Sequence, residues 1–294
     1  MKVLDLFSGI GGFSLGLEEA GMETVAFCEI DKHCIKVLQK NYPIVPILGD
    51  ISTLDGSSFK GKVDVVCGGF PCVDISVAGA GKGLYDKELY QKYLDQGMLD
   101  KEARNRAATR SGLWFEYCRL IKEIQPKWVI IENVDRLVEN GLEEVLNDLA
   151  EIRYDAEWAV IKASHIGAKH KRQRIWIVAY PSEQRCDGSI GQERHLQVNE
   201  ERDDSETQPE GEQCQLEFGE DGKIFSERFM QAIRNSHSSR WELEPDLDRV
   251  VDGLSQELES HRKQRIKQLG NAVVPQIPEL IGRAIMEYEK GKNE

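Results

Sequence analysis

The chain is short of several features that would have settled its class at once. No apolar run approaches the length of a bilayer span, so no membrane partner is expected. No signal peptide precedes the opening strand Lys2-Val3-Leu4-Asp5-Leu6, and a cytoplasmic location is expected. The seven cysteines are odd in number and scattered, with no C-x-x-C pair. That argues against a disulfide framework and against a zinc site, so no metal is expected. The turn Gly9-Ile10-Gly11-Gly12 lacks the G-x-G-x-x-G spacing, which leaves a nicotinamide cofactor without specific support. Internal repeats are missing too. So is a net positive charge: the formal net charge is −13 and the pI about 5.1, which by themselves argue against nucleic acid.

The charge is unevenly spread, however. Between Glu183 and Gly222 stand thirteen acidic residues against three arginines, and the remainder of the chain is close to neutral. That stretch has almost no apolar periodicity, and loop or disorder is expected there. With 294 residues and 40% hydrophobic content, the chain can bury one good core and a smaller second lobe.

Taken in order, the chain reads as strands that each end in a residue capable of chemistry. The first strand runs into Phe7-Ser8-Gly9-Ile10-Gly11-Gly12, a turn whose glycines let backbone approach a ligand. The second, over 24–30, ends in Glu29, about 20 positions beyond the turn, where a carboxylate suits a ribose hydroxyl pair. A solvated strand-end carboxylate is the other reading. A helix over 32–41 and a third strand over 45–48 lead to Gly49-Asp50-Ile51, where Asp50 is either an acceptor for an adenine amine or part of a plain turn.

The fourth strand is the apolar run Val63-Asp64-Val65-Val66-Cys67, followed by Gly68-Gly69-Phe70-Pro71-Cys72. Cys72 stands where open α/β sheets place their ligands; it is read either as a nucleophile or as a small buried hydrophobe. The charged stretch 79–110 is a lid, a phosphate-binding loop or a solvated insertion, with helix expected within 86–106. A helix over 111–124 precedes the strand Trp128-Val129-Ile130-Ile131, which ends in Glu132-Asn133-Val134. After a helix over 142–152 come strands over 155–160 and 172–179. In the latter, the period-two rule puts His170, Arg172 and Arg174 on one face. Two arginines on one strand face call for an acceptor or anion, or for surface salt bridges. Order is expected to return over 225–254, and the basic cluster 262–267 leads to Gly270-Asn271-Ala272-Val273 and a last helix over 277–290.

In a doubly wound α/β sheet the glycine turn, Glu29, Asp50, Pro71-Cys72 and Glu132 converge on one crevice. The first three suit an adenosine, and the last two supply a thiol and a carboxyl.

Five motifs in this order resemble the cytosine carbon-5 DNA methyltransferase family, over about two-thirds of the chain. They are Asp5-Leu6-Phe7-Ser8-Gly9-Ile10-Gly11-Gly12, Gly69-Phe70-Pro71-Cys72, Glu132-Asn133-Val134, His170-x-Arg172-x-Arg174 and Gly270-Asn271-Ala272-Val273. His170 stands where the family more often has Gln, and the segment between Cys72 and Ser111 is longer than usual.

The resemblance implies a Rossmann-like methyltransferase fold with a doubly wound mixed sheet and a second, smaller target-recognition lobe. The catalytic part would cover 1–180 plus 266–294, and the lobe 181–265. It implies S-adenosyl-L-methionine as cofactor and double-stranded DNA as partner, acting as a monomer. A cognate restriction endonuclease acting on the same site is admitted as a further partner. Cys72 is implied as nucleophile toward cytosine carbon 6, Glu132 as the group protonating ring nitrogen 3, and Arg174 with Arg172 as donors to the ring carbonyl. Cofactor contacts fall on Phe7, Ser8, Gly9, Gly11, Gly12, Glu29, Ile30, Asp50, Ile51, Pro71, Leu113, Asn271 and Val273. One branch of the family uses the same constellation on tRNA, and a catalytically silent DNA-binding relative is the alternative of another class.

Overall fold

The computed structural model describes residues 1–72, 84–168, 170–182, 225, 229 and 268–292. Its elements are β1 (Lys2–Leu6), α1 (Gly12–Glu19), β2 (Glu23–Cys28), α2 (Lys32–Asn41), β3 (Val65–Gly68), α3 (Lys87–Asp95), α4 (Asp100–Arg106), α5 (Trp114–Ile124), β4 (Trp128–Val134), α6 (Leu142–Glu151), β5 (Tyr154–Lys162), β6 (Gln173–Pro181) and α7 (Gln276–Gly291). Six strands form one sheet in the order β2-β1-β3-β4-β6-β5. The first four are parallel, whereas β6 runs antiparallel to both neighbours. This is the doubly wound mixed α/β sheet that the resemblance implied. Strand order reverses between β1 and β3, which opens the crevice at their carboxyl ends.

Burial on both faces explains why β3 and β4 read as unbroken apolar runs. On one face Leu4, Leu6, Val66, Val129 and Ile131 pack against α5 and α6 through Leu120, Ile121, Ile124, Val145 and Leu149. On the other, Val3, Val65, Cys67, Ile130 and Val178 meet Phe13 and Leu17 of α1 and Ile277, Ile281 and Ile285 of α7. Alternation along β1 therefore sends Asp5 into the second layer, where it is fully buried.

Four expectations need correction. The strand expected over 45–48 is a single bridge, Phe27 to Ile47, held by Phe27 N–H to Pro46 O at 2.9 Å and Leu48 N–H to Phe27 O at 2.8 Å. Proline at 46 has no N–H to extend a ladder. The helix expected from 111 begins at Trp114, after a 3-10 turn over Arg110–Leu113. β2 stops at Cys28, because Glu29 turns its carboxylate back onto the backbone N–H groups of Ile30 and Asp31. Finally, β6 starts at Gln173. Arg172 lies outside it with a left-handed φ of 26°, so the strand rule that grouped it with Arg174 does not extend to it.

Within the insertion, α3 and α4 occupy the stretch where helix was expected. Leu84, Ala103 and Ala107 are buried, and Arg104 reaches Asp148 of α6 at 3.2 Å while Trp114 Nε1 donates to the same carboxylate at 2.9 Å. A cavity of about 220 Å³ opens between α4, α5 and α6, lined by residues including Arg104, Phe115, Lys122 and Asp148; none of the candidate site residues borders it. The stretch 183–222, the basic cluster 262–267 and almost all of 181–265 lie outside the described residues. No helix among the described residues is long and apolar enough to cross a membrane.

Candidate active site

The turn after β1 is held from below and from the side. Ser8 Oγ donates to Asp5 O at 2.6 Å, and Ser8 N–H donates to Cys28 O at 3.2 Å, tying the turn to both flanking strands. Ser8 is thereby turned into the fold. Glu29 accepts from Gly9 N–H at 2.7 Å through one oxygen, and from Ile30 and Asp31 N–H at 2.8 and 2.7 Å through the other. The strand-end carboxylate thus fixes the glycine turn as well as its own loop. Phe7 and Gly11 adopt left-handed backbone, with φ of 53° and 89°, and Phe7 sits 6.1 Å from the Tyr117 ring. Gly12 starts α1 beneath the C-terminal segment, where a Cβ would meet the Val273 carbonyl at 2.6 Å.

Farther along the sheet edge, Asp50 accepts from Ser52 N–H and Oγ at 2.9 and 2.8 Å and caps a 3-10 turn. Those bonds hold its carboxyl below the ordinary carboxylate range. Ile51 behind it is buried, whereas Ile30 is 67% exposed, an apolar surface at the rim of the crevice. Leu113 and Val273 are half-buried and Asn271 is exposed.

The donor set fits an adenosine-bearing cofactor. A carboxylate stands at the end of β2, a second acceptor follows at Asp50, an apolar rim lies between them, and space is open above the turn. A Cβ at Gly9 would meet only Phe7 O, at 4.0 Å.

On the other side of the crevice β3 delivers Cys72, half-buried beside Pro71. Glu132 is buried on β4, and its Oε1 lies 3.0 Å from Arg174 Nε on β6. Burial pushes the Glu132 carboxyl above its ordinary value, and the Arg174 and Arg172 charges only partly offset it. The Cys72 thiol is also pushed up, by burial first and by the Glu132 charge second, with Arg174 and Arg172 acting the other way. Cys72, Glu132, Arg174 and Arg172 therefore share one electrostatic neighbourhood. Arg172 directs its guanidinium elsewhere, donating from Nη1 to Gly270 O and from Nη2 to Ala272 O, each at 2.6 Å.

Two further residues carry the site although the sequence marked no role for them. Asn133 Nδ2 donates to Phe70 O at 3.1 Å, while its Oδ1 accepts from Val134 N–H at 2.8 Å. One amide so ties the segment before Cys72 to the strand that presents Glu132. Gly69 is the second, since a Cβ there would stand 2.9 Å from Glu132 Oε2. Among the described residues, no group of three or more His, Cys, Asp or Glu is arranged to hold a metal ion.

Comparison with known proteins gives the family. A model of the C-5 cytosine-specific DNA methylase family matches residues 1–244. The type II methyltransferase M.Eco47II of Escherichia coli is 38% identical over 183 residues, covering 60% of this chain and 39% of that protein. M.HhaI of Haemophilus parahaemolyticus is 32% identical over 184 residues, covering 61% of this chain and 49% of that one. The matched stretch thus spans half or less of these relatives' own length. In fold, the chain is similar to the Entamoeba histolytica methyltransferase EhMeth, with a TM-score of 0.53 at 15% identity over 100% of this chain and 99% of the other. The match over 1–244 covers most of the sequence, and the chain belongs to the C-5 cytosine-specific DNA methylase family.

Proposed function

We propose that the chain methylates carbon 5 of a flipped-out cytosine in duplex DNA, through a covalent adduct on Cys72. The observation that carries this reading is the grouping of a half-buried thiol with the buried Glu132–Arg174 pair across the crevice from a glycine turn fixed by Glu29. S-adenosyl-L-methionine would be held by Phe7, Ser8, Gly9, Gly11 and Gly12, by Glu29 at the ribose, by Asp50 with Ile51 at the adenine, and by Ile30, Pro71, Leu113, Asn271 and Val273 around the rim. Bound there, it supplies an electrophilic methyl group on a positively charged sulfur.

The chain's own residues do the rest. Carbon 5 of cytosine is a poor nucleophile, and the ring needs activation. Cys72, as thiolate, forms a bond from sulfur to carbon 6. The displaced ring electrons are stabilised as Glu132 delivers its proton to nitrogen 3, which its raised pKa equips it to do. Arg174 holds the Glu132 carboxyl in place and offers a donor to the ring carbonyl. After methylation a base takes the carbon 5 proton, and that C–H pair restores the carbon 5–carbon 6 double bond. The sulfur–carbon pair returns to Cys72, and nitrogen 3 gives its proton back to Glu132. None of these atoms is accessible inside a stacked duplex, so the base must be extruded at a cost of a few kcal/mol.

In this reading residues 181–265 serve target recognition and the methyltransferase acts as a cytoplasmic monomer, with a nuclease of the same site admitted as a further partner. A duplex carrying 5-fluorocytosine at the target tests the chemistry. Fluorine cannot leave as a cation, so elimination stops after methyl transfer. The expected result is a denaturant-stable adduct whose linked peptide contains Cys72. Attachment through Cys67, or normal methylation of unmodified duplex with no adduct, overturns the mechanism. Preferential methylation of tRNA over duplex DNA overturns the substrate.

A further inference from the structure

We infer that Arg172 is a positioning residue for the cofactor: it clamps segment 270–272 across the cofactor pocket and leaves the base to Arg174. Arg172 sits just before β6 with φ at 26°, a conformation that strains a non-glycine residue unless its surroundings hold it. What holds it is a forked contact, in which Nη1 and Nη2 each donate at 2.6 Å to carbonyls of Gly270 and Ala272, about a hundred residues away in sequence. Carbonyls two positions apart match the planar guanidinium, and a lysine ammonium has no fixed fork to span them. Glu132, whose charge Arg172 feels, is paired with Arg174 instead.

The stretch around the clamped segment packs on both helices that begin at the crevice. Toward α1, the Val273 carbonyl stands where a Cβ on Gly12 would be, and the Pro275 carbonyl packs on Gly16 in the same way. Toward α2, Gln268 Nε2 reaches Cys34 Sγ at 3.8 Å, one turn into the helix that follows Glu29. Ala272 N–H donates to Gln268 O at 2.9 Å, so 268–272 moves as one turn. Arg172 is its fastening on the base side. Both Nη groups are turned onto main chain, so the guanidinium is aligned with segment 270–272.

The inference rests on the reading of the crevice as an S-adenosylmethionine site. Its test is calorimetric titration of S-adenosyl-L-homocysteine into the wild-type chain, Arg172→Lys, Arg172→Ala and Arg174→Ala, alongside binding of a target duplex to each. The expected result is a Kd for the nucleoside at least tenfold weaker in both Arg172 variants and within about twofold of wild type in Arg174→Ala. Duplex affinity should move least in the Arg172 variants. The lysine variant keeps the charge and serves if the alanine variant does not fold. Unchanged nucleoside affinity with weakened duplex binding would place Arg172 on the base and overturn the inference. Equal weakening of both, tracking a lowered Tm, would make Arg172 merely structural and overturn it too. A wild-type chain that binds no nucleoside would instead overturn the proposed function itself.

Discussion

Arg174 Nε and Glu132 Oε1 lie 3.0 Å apart across two antiparallel strands, with Arg174 paired in register to Val134, two residues beyond Glu132. A buried carboxylate with one side-on cation is fixed in direction, and its burial leaves it easily protonated. Glu132→Gln keeps the shape and removes the proton. Methyl transfer should fall by about 10²–10⁴-fold, the usual span for a general acid. Arg174→Lys should fall less than Glu132→Gln, because a point charge still neutralises but does not orient. Single-turnover rates on the target duplex decide both; a near-normal Glu132→Gln rate rejects the acid role.

The two raised pKa values make opposite demands on pH. Cys72 must ionise and Glu132 must stay protonated, and burial lifts both groups. Between the two pKa values the thiolate fraction rises tenfold per pH step while the acid fraction falls tenfold, and the product is flat. The profile of kcat/KM for duplex should therefore show a broad plateau, falling below the Glu132 pKa and above that of Cys72. In Glu132→Gln the acid demand vanishes, and the plateau should become a rise of slope one up to the Cys72 pKa. A variant profile that stays flat would dissociate Glu132 from the pH behaviour.

The sequence made much of this legible, and the reasons are physical. β3 and β4 are buried on both faces, so they appear as apolar runs that stop where the site begins. Five short motifs in order mark Cys72, Glu132, Arg174 and the turn as candidates. Other features stayed hidden because they depend on which groups meet in space. Nothing local distinguishes Asn133 from a spacer between Glu132 and Val134; its role exists only because Phe70 O comes within 3.1 Å. Strand alternation makes Arg172 a twin of Arg174 in sequence, but its left-handed φ places it outside β6. The misread strand over 45–48 had the right composition, but Pro46 reduced it to a bridge.

Gly69 and Asn133 give a test of positioning that is separate from the reacting groups. A Cβ at Gly69 would stand 2.9 Å from Glu132 Oε2, so Gly69→Ala must push the carboxylate off Arg174 or displace the chain before Cys72. Asn133→Ala leaves the Phe70 carbonyl without its donor, an effect of about 1–3 kcal/mol where the group stays buried. Both variants should lose roughly 10–100-fold in transfer rate, scaled from that energy, while keeping S-adenosyl-L-homocysteine affinity within about twofold. Loss of nucleoside binding in either would show that the two halves of the crevice are not separable in this way.

Asp5 makes the last prediction, and it concerns stability. It is fully buried in β1, opposite Cys67 in register, and Ser14 Oγ donates to its Oδ2 at 2.7 Å. Ser14 lies in the first turn of α1, where Gly11 offers no side-chain cap, so Asp5 anchors the helix from the sheet. Burial dominates and raises the carboxyl from 3.8 to about 7, with the charges of Glu29 and Glu18 adding to it and the Ser14 bonds opposing. A carboxyl raised on folding makes the folded state bind more protons than the unfolded chain. Its contribution is therefore fully present below the unfolded pKa and is lost as pH rises through the folded one. Across the window from 3.8 to about 7 this amounts to something on the order of 4 kcal/mol. Asp5→Asn carries no proton to lose. Urea unfolding of the wild-type chain should show this component as a decline from pH 4 to 7 that Asp5→Asn lacks, so the difference in unfolding free energy between the two should shift steadily in favour of the variant as pH rises. A difference that stays constant over that range would mean that Asp5 ionises normally and that its burial is relieved by contacts beyond Ser14.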